Sequence, residues 1–390
     1  MENDPLLDGI LSLRREVSGF RSLIGKYEGL DDDSERVVKL IELKADELYD
    51  YLEGLERDYW AILPYSFGED YKRNYRVLEK RLWTLKSSLF ILATVLDDLN
   101  THLVAIEKLI SKKVDAGIRA FFRALVELTY GKGNLKRYHI CLLYTHEYWV
   151  NKIFHELGTF ILGAPTFDSL VPYHWPLIAH EIGHIFYLSR QKEILNVFRP
   201  ILVNYLVDKV PSCMRYSKTV SSMMNGWVKN WLGELISDLF ACSLLGASFT
   251  IPFIEHLQTV RLTDIEDTHP PLDARVIIQL DYLKKLKVGE MKNICYEYWR
   301  NFNQSVGDIQ SGPSYPFDLE ILQQVREVFC SLTDNPVVEN ISSKILSYKR
   351  ELDAGVVKPS NPLIMICGLA LSKRKFDLCD TVLNTIVEDL

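Results

Sequence analysis

Apolar residues recur at alternating steps of three and four along the first 115 positions, in three separate stripes. The first is Leu6, Ile10, Leu13, Val17, Phe20 and Ile24. The second runs Val38, Ile41, Ala45, Leu48, Leu52, Leu55 and Tyr59. The third, the most regular, runs Leu78, Leu82, Leu85, Leu89, Leu92, Leu96, Leu99, Leu103, Ile106 and Ile110. Such spacing keeps one seam of each helix against a partner helix. The third stripe predicts one long helix from about 71 to 113, roughly 60 Å at ~1.5 Å per residue. Gly29 to Ser34 reads as a loop with Ser34 as N-cap, and Pro64 and Gly68 mark a second turn. Three helices joined by short turns most simply fold back on one another. The third outruns the second, so its far end is expected to pack on the rest of the chain or on a second subunit.

The pattern then changes. Residues 114 to 130 read as a helix with Phe121, Phe122, Leu125 and Val126 in the core, followed by a turn at Gly131–Asn134. Tyr138–Tyr144 and Gly158–Gly163 are short apolar runs that suit strands, and could form a small sheet whose edge receives an extended peptide. After about 285 the period is helical again, clearest over 291–302, 318–332, 338–352 and 375–390, with Pro313, Pro316, Pro336, Pro359 and Pro362 between. The reading is a mainly α (α+β) protein in three parts: a coiled-coil-like helical bundle over 1–130, a core with a small sheet over 131–285, and a helical region over 286–390.

Composition narrows the class. With 47% apolar and 25% charged residues, the 390-residue chain suits a globular protein with two or three cores. A formal charge of −7 gives no general pull toward nucleic acid or anionic membrane. The basic residues between Lys72 and Lys86 fall on the heptad-patterned helix and read as a solvated face. The longest uncharged run, Leu239–Ile254, is shorter than the ~20 residues of a spanning helix and is broken by Gly246 and Pro252, so it reads as buried core. The N-terminus lacks a cationic secretory n-region. Seven cysteines without CxxC spacing read as free thiols of a reducing compartment, which makes the cytoplasm the expected location.

One segment carries chemistry. His180-Glu181-Ile182-Gly183-His184 lies in an apolar stretch preceded by Pro176, a favourable first helical residue. Residues at i and i+4 share a helix face, so His180 and His184 can present both imidazoles to one ion, with Glu181 beside them to act on water. A buried glutamate between two histidines is costly without a partner, and Zn2+ would be that partner. A catalytic zinc needs a third protein ligand and an open position. Fifty positions on, the apolar run 227–241 holds two acids at i and i+4, Glu234 and Asp238. Glu234 would complete a His2Glu set, and Asp238 could fix the tautomer of a ligand histidine. Further on, His269 precedes Pro270 and Pro271 and is expected to open a helix. It could stabilise a substrate oxyanion, and Arg275, about two turns into that helix, could anchor the acids. His139, His146, His155 and His174 read as wall or core residues.

The order HExxH, ExxxD, HPxxxxR resembles the gluzincin zinc metallopeptidases of the HtpX and CAAX-prenyl-protease type. The matching residues are His180-Glu181-Ile182-Gly183-His184, Glu234 with Asp238, and His269-Pro270 with Arg275. The resemblance covers about 175 to 280. It implies a zincin-like core, zinc held by His180, His184 and Glu234, Glu181 as general base, and His269 near the oxyanion. Many members of that family are membrane-embedded and this sequence has no spanning segment, so the substrate class is not carried over. The expected activity is hydrolysis of a peptide or protein substrate. Alternatives from other classes are a regulatory or binding module with a structural or vestigial zinc site, and a triggered protease specific for one partner protein. The N-terminal helices are the expected surface for a homo-oligomer or partner protein, and no nucleic acid partner is expected.

Overall fold

A computed structural model describes residues 5–25, 32–65, 68–108, 112–131, 139–145, 149–151, 159–165, 171–209, 224–260, 269–306, 319–333 and 336–389. The protein is mainly helical with one small sheet, as the patterning predicts. Helices α1 (Pro5–Ile24), α2 (Asp32–Ile62) and α3 (Glu69–Lys108) pack on one another through the three apolar stripes. Their seam residues are buried, from Leu6, Ile10 and Leu13 through Leu48, Leu52 and Leu55 to Leu92, Leu96 and Leu99. Helix α2 starts at Asp32, so Ser34 lies inside its first turn and is buried rather than capping it. Acidic residues at that end suit the positive pole of the helix. Between α2 and α3, a 3₁₀ turn at Leu63–Tyr65 is followed by Gly68 at φ 119°, a conformation that glycine adopts without steric cost. Ile110 lies outside the described residues.

The sheet joins the bundle to the rest. Strands β1 (His139–Thr145), β2 (Trp149–Asn151) and β3 (Thr159–Pro165) run in the order β1-β3-β2, with β1 parallel and β2 antiparallel to β3. Alternate residues point to opposite faces. Cys141, Leu143 and Ile161 share a core with the bundle, and α3 packs on β1. Leu142, Phe160, Leu162 and Ala164 face the second core. Thus α3 packs on its own chain beyond α2, the first of the two options left by its length.

The second core is larger. It takes in α4 (Lys112–Tyr130), α5 (Ile178–Lys209), α6 (Leu232–Leu245), α7 (Ala247–Val260), α8 (Leu272–Lys285), α9 (Gly289–Val306), α10 (Leu319–Leu332), α11 (Val337–Asp353), α12 (Pro362–Leu371) and α13 (Lys375–Glu388). Helix α4, which the stripes alone group with the bundle, buries Ile118, Phe121, Phe122 and Leu125 here and packs on α12 and α13. The uncharged run 239–254 is buried and splits into α6 and α7 at Gly246, whose φ is 58°. Pro176 lies in a 3₁₀ turn (Pro172–Leu177) ahead of α5 rather than at its first position. Among the described residues, no helix is long and apolar enough to cross a membrane. The cysteines described are all free, and Cys213, His146 and His155 lie outside the described residues.

Candidate metal centre

Two helices build the site. Helix α5 carries His180, Glu181 and His184 in its first two turns, and α6 carries Glu234, Ser237 and Asp238. They meet where Gly183 faces Ser237. A Cβ on Gly183 would lie 2.7 Å from Ser237 Cα and 2.8 Å from its carbonyl oxygen, closer than such atoms approach. Glycine alone permits this contact, and the contact sets how near the two sets of side chains come. A five-residue π turn, Trp227–Trp231, leads into α6 and is packed by two buried tryptophans.

The donor atoms converge. His180, Glu181 and His184 each offer a ligand atom within 4.8 Å of the others. Glu234 joins them from α6: His180 Nε2 lies 3.3 Å from its Oε2, and His184 Nε2 3.3 Å from its Oε1. Zinc bonds of ~2.0–2.1 Å in a tetrahedron imply ligand–ligand edges of about 3.3–3.4 Å. The two histidine–Glu234 contacts match that edge length, one to each carboxylate oxygen.

Each imidazole sets its Nδ1 against a polar side chain of α6. His180 Nδ1 lies 2.8 Å from Asp238 Oδ1. His184 Nδ1 lies 3.1 Å from Ser237 Oγ, whose own hydroxyl donates to the Gly233 carbonyl at 2.8 Å. With that proton committed, the Ser237 lone pair can accept only from a protonated Nδ1, which leaves His184 Nε2 free as a donor atom. Phe249 of α7 lies parallel to the His180 ring, with centroids 6.4 Å apart.

Arg275 closes the back of the site. Its Nε and Nη2 donate to Asp238 at 2.7 and 2.8 Å, a two-point clamp, and Nη2 lies 3.3 Å from Glu234 Oε2. Its guanidinium also sits over the Phe253 ring, 4.7 Å from the centroid. Arg275 belongs to the first turn of α8, one turn earlier than its spacing from His269 suggests, because the helix begins at Leu272. His269 stands before it, with Nε2 3.9 Å from Glu234 Oε2 and its side chain 45% exposed, at the mouth of the site.

The acids and bases of the cluster shift one another. Burial works against ionisation of Glu234, but His184 and Arg275 outweigh it and hold its carboxyl well below the usual range. Burial likewise opposes Asp238, and Arg275 and His180 lower it nonetheless. Burial disfavours the charged form of His180, yet Asp238 and Glu234 prevail and raise it to about 10. Glu181 moves the other way: burial pushes its carboxyl up, with partial opposition from His184 and His180. Among the described residues no hydrogen bond reaches the Glu181 side chain. Once both imidazoles are neutral, as metal ligation requires, the carboxylates of Glu181, Glu234 and Asp238 face one guanidinium, a deficit that a divalent cation would offset.

Every residue expected at the site from the sequence is thus within one cluster: His180, Glu181, His184, Glu234, Asp238, Arg275 and, at its edge, His269. Sequence reasoning missed Ser237 and the role of Gly183. The only trace of Ser237 is its place three residues after Glu234, on the same face of an apolar helix. His174 lies apart, with Nε2 3.9 Å from Glu255. No known family model matches the chain, and no curated protein and no solved structure is significantly similar to it.

Proposed function

We propose that this chain is a zinc-dependent metallohydrolase that cleaves peptide bonds, of the gluzincin type its motifs resemble. The observation that carries the reading is the convergence of His180, His184 and Glu234, each histidine 3.3 Å from a Glu234 oxygen, beside a buried, unbonded Glu181. A structural zinc site has no use for such a base.

Held by His180, His184 and Glu234, zinc would supply a Lewis acid that polarises a carbonyl and acidifies water at its open position. The rest is done by side chains. Glu181 takes a proton from the attacking water and delivers it to the leaving amine. Burial favours this, because a carboxylate with little solvation binds a proton more readily. His269, partly exposed at the mouth, donates to the carbonyl oxygen as it gains negative charge. Asp238 and Ser237 hold the ligand imidazoles, and Arg275 fixes the carboxylates.

The test is Glu181→Gln, which keeps size and hydrogen bonding but cannot accept the proton. Purified parent and variant should both carry about one zinc per chain, while His180→Ala should lose it. Hydrolysis by Glu181→Gln should fall on the order of 10² or more. Substrates are sought among proteins that accumulate in cells expressing Glu181→Gln. If that variant performs every cellular function of the parent, the catalytic reading gives way to a binding module.

A further inference from the structure

A second heptad line runs along α3, opposite its buried seam. Arg76, Trp83, Phe90 and Asp97 recur every seven residues, with Lys80, Ser87 and Thr94 between them. Trp83 is 69% exposed and Phe90 73%, whereas the seam leucines Leu78, Leu82, Leu89, Leu92, Leu96 and Leu99 are buried. Single exposed apolar residues are ordinary. Two aromatic rings at heptad spacing on the outer face of a bundle helix are a knob pattern without its holes.

The polar members of the line suit burial. Ser87 Oγ donates to the Trp83 carbonyl at 3.0 Å, and Thr94 Oγ1 to the Phe90 carbonyl at 3.0 Å. Covering them would strand no hydroxyl donor. Arg76, Lys80 and Asp97 make no ion pair among the described residues, so their charges are uncommitted.

The order of these residues selects the occupant. Arg76 and Asp97 are equidistant from a point between Lys86 and Ser87, and so are Trp83 and Phe90. We propose that a second copy of this chain covers this face, α3 against α3 in antiparallel array, with the two-fold axis through that point. Arg76 then meets Asp97 of the second copy, Trp83 meets Phe90, and Ser87 lets the backbones approach at the axis. This is a self-complementary, isologous contact. A parallel pair would set arginine against arginine and aspartate against aspartate, which the charges oppose. Lys86 falls at the rim, where its long side chain stays in solvent. Four aromatic rings at ~150–250 Å² each, about 70% of it still exposed, would bury roughly 400–700 Å², a large share of the ~1,000 Å² of a specific interface, and the flanking side chains add to it. The contact uses the bundle alone and stands independently of the metal site.

The full-length chain should dimerise reversibly in sedimentation over a range of concentrations. Trp83→Ala should weaken the dimer about thirtyfold, the scale of a central aromatic anchor. Arg76→Asp should weaken it too, and Arg76→Asp combined with Asp97→Arg should restore it. Ser87→Cys should form a disulfide-linked dimer on mild oxidation beyond any seen for the parent. Thr94→Cys should not, because its counterpart across the axis is Glu79. Circular dichroism checks that each variant folds, and the charge exchange carries the test if Trp83→Ala does not. A parent that stays monomeric at every concentration overturns the proposal. So does failure of the double charge exchange to restore association, or equal cross-linking at positions 87 and 94.

Discussion

The N-terminal bundle and the helix pair around His180 bury their residues in opposite ways. In α2 and α3 one stripe faces inward and the remainder is solvated, so stability is spread over many equivalent leucine contacts. In α6 every residue except Glu234 is buried, and the polar residues Ser237 and Asp238 are fully enclosed. The bundle spreads its packing over many such contacts, so variation at any one seam position is expected to cost little of the whole. The α5–α6 pair depends on one backbone approach, Gly183 against Ser237, and on a few buried polar partners that must all be satisfied. Redundant packing suits a scaffold, and a unique approach suits a site whose donor atoms must hold position within tenths of an ångström.

The comparison is broken most forcefully from the bundle side. Leu89→Asp with Leu96→Asp places two carboxylates in a seam where the parent residues are buried. Lost packing alone costs about 2–5 kcal/mol per site, before the cost of burying charge. We expect α1–α3 to unfold or reassemble, seen as lost helicity and new protease sites. The second core should persist and bind zinc as tightly as that of the parent. Unchanged helicity and melting temperature would contradict the seam, and simultaneous loss of zinc would show that the two cores do not stand separately.

A single kind of substitution should have opposite signs in the two regions. Alanine at Gly54, mid-helix in α2, meets nothing within 4 Å of its new methyl. It should stabilise by about 0.5–1 kcal/mol, the helix preference of alanine over glycine. Alanine at Gly183 drives its methyl into the Ser237 backbone, which no rotamer change can relieve. It should destabilise by about 1–3 kcal/mol and lower zinc affinity by forcing α5 and α6 apart. Thermal unfolding and zinc titration of both variants decide the matter. A stable, zinc-tight Gly183→Ala would sink the claim that this approach shapes the site.

The same contrast explains what the sequence disclosed. The bundle was legible because amphipathic periodicity is written residue by residue, and strands β1 and β3 because short apolar runs are bounded by turns; β2, only three residues long, is too short to show a pattern. Helix α12, Pro-Leu-Ile-Met-Ile-Cys-Gly-Leu-Ala-Leu, was not foreseen: it is buried all round, and a helix without a polar face has no period to read. Around the site the logic inverts. His180, His184, Glu234 and Asp238 stood out because they are polar residues in apolar surroundings. The register of Arg275 was misjudged because the prolines after His269 defer the helix start. Gly183 gave no sign and Ser237 only its place on the Glu234 face, since a glycine's close approach and a serine's second partner are properties of two helices brought together, not of either alone.

Ser237 offers the smallest and most discriminating change. Its hydroxyl does two things: it donates to the Gly233 carbonyl within α6, and it faces His184 Nδ1 across the helix pair. The first is a local bond that a helix can lose at little cost, because Gly233 retains its backbone geometry. The second fixes which nitrogen of His184 is protonated and where the ring points. Ser237→Ala should therefore lower stability by only about 1 kcal/mol. Removing the outer partner of a ligand histidine should weaken zinc binding by about 10–100-fold. Competition with a chelator of known affinity reads the second effect, and thermal unfolding of the zinc-free protein reads the first. Asp238 should continue to hold His180, so the site should still bind zinc, only more weakly. A loss of stability with zinc affinity intact would assign Ser237 to packing alone and leave His184 to be oriented by some other group.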